Sequence, residues 1–218
     1  MITLFSSLIL SLVVALVSAS IPWTTTWISR WWLAAAFGVG VVLSVLIAGL
    51  SLQLYPFTDL VVLLVGLSAG VLLGRSLPAR TWPLLILLLA LSALDITQSV
   101  LSSHAAGVSY AVHTAAIIPP PGQLVGNFFL VLPWGHFNIG IFDIFVLATM
   151  AEHCRRHGAS WALAQSAGII GIVLAFAFLK FVYSGALPLI PFLTVGWLCT
   201  LALARSMSRQ RKAVPPAK

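Results

Sequence analysis

The chain has 218 residues, of which 61% are hydrophobic and 7% charged, where a soluble domain carries roughly 25% charged residues. That balance excludes a soluble globular enzyme and points to an integral membrane protein. The formal charge of +7 does not mark a nucleic-acid binder, because the basic residues stand at the ends of apolar runs and not on a face interleaved with stacking aromatics.

In chain order, seven apolar segments are predicted to cross a bilayer, which takes about 20 residues each. They fall near 3–19, 31–54, 58–73, 82–101, 137–152, 161–182 and 188–204. The expected fold is an all-α integral membrane protein of about seven transmembrane helices. It divides into one transmembrane domain over residues 1–205 and a basic cytoplasmic tail over 206–218. The first segment ends in Val17-Ser18-Ala19, which resembles a signal-peptidase site. No basic residue precedes its apolar core, so it is read as a retained helix.

Alternating connections put Arg30, Arg75, Arg80, Arg155, Arg156, Arg205, Arg209, Arg211, Lys212 and Lys218 on one face and only Lys180 on the other. Cytoplasmic loops collect Lys and Arg, so the amino terminus is expected outside and the carboxyl terminus in the cytoplasm. Gly66, Gly70 and Gly74 form a small-residue stripe on the third segment, suited to helix packing inside one subunit in preference to a dimer interface. Trp23, Trp27, Trp31, Trp32, Trp82 and Trp134 fall near segment ends, as an interfacial belt requires. Between the fourth and fifth segments, the run Pro119-Pro120-Pro121-Gly122 forces a break, and 125–133 reads as an extended piece. The tail beyond residue 206 reads as disordered and membrane-apposed.

Four acids occur in the chain, and two of them, Asp95 and Asp143, lie inside apolar segments. A carboxylate there is costly, so its default reading is functional, with a partner. Asp95 stands about six residues before the outer end of the fourth segment and Asp143 about six after the outer start of the fifth. At 1.5 Å per residue, both are expected roughly 9 Å below the same face, on adjacent helices. Two close carboxylates in a poorly solvated site share a proton, which suits activation of a water by one and polarisation of a carbonyl by the other. The same acids also suit proton or cation translocation, or a satisfied buried contact locking two helices together. Thr97, Gln98 and Ser99 beside Asp95 fit that last reading.

Three separated motifs resemble the presenilin and signal peptide peptidase family of intramembrane aspartyl proteases. Leu94-Asp95 stands where the family has Tyr-Asp, Gly140-Ile141-Phe142-Asp143 where it has Gly-x-Gly-Asp, and Gly185-Ala186-Leu187-Pro188 at the Pro-Ala-Leu position. The likeness covers about 94–195 and departs at Leu94, Phe142 and Gly185, as in a divergent, shortened relative, active or degenerate. The resemblance implies Asp95 and Asp143 as the catalytic pair, and Gly140, Phe142, Gly185, Ala186, Leu187 and Pro188 as the substrate-binding residues. It implies a transmembrane peptide or protein as substrate, the lipid bilayer as surroundings, no nucleic acid, and no metal or organic cofactor. Similarity to microbial members suggests a multi-pass protein of a bacterial or archaeal plasma membrane. The other function classes considered are a proton-coupled small-solute transporter and an accessory subunit of a membrane complex.

Glu152, His153, Cys154 and His157 have conceivable metal-ligand spacing, but Arg155 and Arg156 oppose a cation there. Cys154 and Cys199 are read as packing residues, and Lys180 as a snorkelling residue near an outer helix end.

Overall fold

Seven helices form where the apolar runs place them, in a computed structural model that describes residues 2–49, 57–78, 80–105, 129–131, 138–157, 160–181 and 188–213. They are α1 (Ile2–Thr24), α2 (Arg30–Gly49), α3 (Phe57–Ser76), α4 (Thr81–Ala105), α5 (Ile141–Arg156), α6 (Trp161–Phe181) and α7 (Ile190–Ala213). Local chemistry agrees with these bounds. Pro83 and Pro191 lie in the first turns of α4 and α7, where a missing N–H costs nothing. Asp59 opens α3 and Arg75 closes it, each facing the favourable end of the helix dipole.

The bundle is built around α5. From Ile144 to Cys154 nearly every residue of this helix is buried, because α1, α3, α6 and α7 all pack against it. The stripe of glycines on α3 faces α5. A Cβ on Gly70 would stand 2.5 Å from the Phe145 carbonyl oxygen and 2.7 Å from the Ala148 Cβ, and one on Gly74 would stand 2.8 Å from the Glu152 Cβ. The stripe therefore serves packing within the chain, as its spacing suggested. The main core lies between α1, α5, α6 and α7, with Leu84 and Leu88 of α4 joining it and Trp197 of α7 buried inside it.

Among the described residues, three helices contain stretches long and apolar enough to cross a membrane, Arg30–Ile47, Phe57–Ser76 and Trp161–Phe181, consistent with a membrane protein. Shorter apolar stretches occupy Ser11–Thr24, Thr81–Thr97 and Ile190–Leu203. Exposed Val39, Val42, Val45 and Leu46 show α2 turning an apolar flank away from the bundle.

Three expectations need correction. The fifth helix starts at Ile141 and not near 137, because Asn138–Gly140 forms a strand, β2, paired antiparallel with β1 (Phe129–Val131). With 16 residues, α5 is about 24 Å long, short of the ~30 Å hydrocarbon thickness. Second, the fourth and fifth helices are not close neighbours: α4 packs mainly on α7, and α5 on α3 and α1. Third, α7 continues as helix through Ala213, into the region read as a disordered tail.

Candidate functional site

Asp143 is the third residue of α5, in its first turn. Its Oδ2 accepts the N–H of Gly140, the N-cap, at 2.9 Å, satisfying one of the donors that every helix start leaves without an internal partner. Gly140 is extended (φ −69°, ψ 151°), a conformation open to any residue. Its place is set by the ladder, in which it is the Cα partner of Phe129. The carboxylate thus sits where β2 turns into α5, at the positive end of the helix dipole.

Asp95 does the corresponding job for another helix. Its Oδ2 accepts the N–H of Ile190, the first residue of α7, at 3.1 Å. One turn back on α4, Ser92 Oγ lies 3.0 Å from Thr194 Oγ1, and Thr194 in turn donates to the Ile190 carbonyl at 2.9 Å. Because that bond uses the threonine proton, Ser92 donates to Thr194. Asp95, Ser92 and Thr194 form a polar seam that fixes the register of α4 against the start of α7. Sequence reasoning missed Ser92 and Thr194. The available signal was spacing: Ser92 and Asp95 are three apart on one helix face.

The two carboxylates come from separate helices, and each accepts the N–H at the start of a helix, Gly140 before α5 and Ile190 in α7. Both side chains are part-exposed, and the residues before them are open: Leu94 is 65% exposed and Phe142 62%. Phe142 therefore turns its ring outward at the site. Pro188, half-buried, precedes the start of α7, while Gly185, Ala186 and Leu187 lie outside the described residues, as does Trp134. The structure brings Asp143 together with Gly140 at the start of α5, and Asp95 together with Ile190 at the start of α7. Chemically, the two helix starts offer two part-exposed acids, each steadied by a main-chain donor, beside exposed Leu94 and Phe142.

The opposite end of α5 gathers arginines. Glu152 is fully buried and accepts from Arg75 Nε at 3.3 Å and from Arg155 Nη2 and Nε at 2.6 and 2.8 Å. Hydrogen bonding to Glu152 raises the Arg155 guanidinium further above its ordinary value. Arg75 also donates to the Ile28 and Thr25 carbonyls, at 2.6 and 2.9 Å, closing the turn between α1 and α2. With its oxygens committed to arginines, Glu152 is not placed to join His153 and His157 around a metal. The two imidazoles instead stack edge-on at 4.2 Å. Lys180 is exposed, its Nζ 5.1 Å from the Phe181 ring centre.

Fold and site together define a helical protein with membrane-suited helices, one carboxylate in the first turn of its central helix and another on α4 holding the start of α7. Comparison with protein-family models, with curated proteins and with solved structures finds no match to this chain.

Proposed function

We propose that this chain is an intramembrane aspartyl protease-like protein that hydrolyses peptide bonds of transmembrane segments, with Asp95 and Asp143 as its catalytic pair. The observation that supports the reading is that Asp95 and Asp143, on separate helices, are both part-exposed, each holds a helix-opening N–H, and each is preceded by an exposed apolar residue, Leu94 or Phe142. In the proposed reaction, one carboxylate takes a proton from water as its oxygen attacks the peptide carbonyl, and the protonated partner gives its proton to the carbonyl oxygen. Collapse of the resulting diol breaks the C–N bond, the amine leaving with a proton from the dyad. Gly140 and the 185–188 segment would bind extended substrate backbone, and Phe142 would border the scissile bond.

The same reading takes all seven helices as spans of a multi-pass membrane protein. α5 needs no lipid-facing belt, since its neighbours enclose it, and the positive-inside bias puts the arginine-rich end in the cytoplasm.

A second reading is favoured by a specific observation: each carboxylate accepts a helix-opening N–H, so the pair suits a purely structural lock. Reconstitution of the full chain with a helical reporter separates them. Protease activity predicts cleavage by the wild type that is lost in both Asp95→Asn and Asp143→Asn, substitutions that keep an acceptor for each N–H. Cleavage surviving both changes would sink the catalytic assignment. Acid-dependent solute flux without cleavage would instead favour the transporter.

A further inference from the structure

At the arginine-rich end, Arg30 Nη2 and Arg156 Nη1 donate to the same acceptor, the Arg75 carbonyl, at 3.1 and 3.0 Å. Sharing one oxygen holds the two guanidinium nitrogens within about 6 Å of each other. Arg156 is fastened further, the same Nη1 donating to the Gly74 and Leu77 carbonyls at 3.0 and 2.7 Å. Both arginines are exposed, and among the described residues neither forms a salt bridge. The nearest acid, Glu152, is buried and already shared by Arg75 and Arg155. Four arginines and one carboxylate thus belong to one hydrogen-bonded cluster, which leaves it strongly cationic. Two like charges fixed side by side call for an anion with several acceptor oxygens, and guanidinium forks match phosphate geometry.

We infer that Arg30 and Arg156 form a binding site for the phosphate of an anionic phospholipid headgroup. The surroundings select a lipid over a free ion. Trp27, Trp31 and Trp32, 83%, 83% and 72% exposed, flank Arg30 as rings at headgroup level do. From Arg30 the helix runs directly into the exposed apolar flank of Val39, Val42, Val45 and Leu46, along which acyl chains can lie. The inference rests on membrane insertion of α2 and α3, and is independent of the catalytic assignment.

The test measures thermal unfolding of the purified full chain in neutral detergent, titrated with phosphatidylglycerol, phosphatidylcholine or inorganic phosphate. Phosphatidylglycerol is expected to raise the unfolding midpoint well beyond phosphatidylcholine, and inorganic phosphate to have little effect. The concentration of phosphatidylglycerol needed should rise about five-fold for each arginine removed in Arg30→Gln and Arg30→Gln/Arg156→Gln. A Lys180→Gln control, on the opposite face, should match the wild type. Should the double variant fail to fold, Arg30→Gln alone, which gives up a single hydrogen bond, carries the same comparison. Equal stabilisation by the two lipids, an unchanged requirement in Arg30→Gln, or a loss confined to the control would overturn the site. An equal shift from inorganic phosphate would assign it to small anions and overturn the lipid.

Discussion

Asp95 on α4 reaches across to Ile190, taking the N–H that opens α7 at 3.1 Å, so one carboxylate joins two helices that lie 85 residues apart between Ala105 and Ile190. Removing that acceptor in Asp95→Ala should cost about 0.5–2 kcal/mol, the range for losing a helix-opening partner. Asp95→Asn keeps an acceptor and should unfold close to the wild type. If the proposed catalysis holds, the two variants nonetheless lose reporter cleavage equally. Thermal unfolding and cleavage measured on the same preparations check this; an Asn variant that keeps full cleavage would leave Asp95 as a strut.

The approach of α3 to α5 gives a packing prediction with an internal control. Gly70→Leu drives a side chain into the Phe145 carbonyl and Ala148, and should destabilise by about 1–3 kcal/mol or more as the helices separate. Gly38→Leu on α2 meets nothing within 4 Å and should be close to neutral. Comparable losses in the two variants, read by unfolding in detergent, would contradict the packing of α3 on α5.

Glu152 compensates a buried guanidinium. Glu152→Gln leaves Arg75, 10% exposed, without its counter-charge, and should cost about 3–5 kcal/mol. Arg155→Gln should cost about 1 kcal/mol or less, because Arg155 is more exposed and Arg75 still neutralises the carboxylate. Unfolding midpoints of the two single variants test the order of these losses; a milder Glu152 variant would contradict it.

The proposed sidedness rests on the charge asymmetry. In a background with Cys154 and Cys199 replaced by Ser, Lys180→Cys should react with a membrane-impermeant maleimide in intact cells. Arg209→Cys should react only after permeabilisation. The reverse pattern would invert the proposed orientation.

Seven helical segments were legible because an apolar run needs no tertiary information to be recognised, and the observed helices start and stop within a few residues of most expected ends. Gly66, Gly70 and Gly74 were legible as a packing face for the same reason: spacing alone puts them in line on one helix face. Asp143 was legible as an unusual acid, but its depth was not. Asn138, Ile139 and Gly140 continue the apolar run of α5 on paper with a single polar residue, and only pairing with Phe129, Leu130 and Val131 draws them into a strand. The end of α7 was misread in the opposite sense, because basic composition alone does not show that a helix already nucleated by packing runs on to Ala213.

Composition and periodicity, which act within one segment at a time, determined that this chain is a bundle of apolar helices with acids at two exceptional positions. Which helices touch was decided by the folded chain. α4 settled on α7 because Ser92 and Asp95 find Thr194 and the Ile190 N–H there, and α5 sits at the centre because glycines on α3 let it approach. Those choices depend on surfaces meeting across long stretches of chain, where hydrogen-bond partners and close backbone contacts have no signature in local sequence.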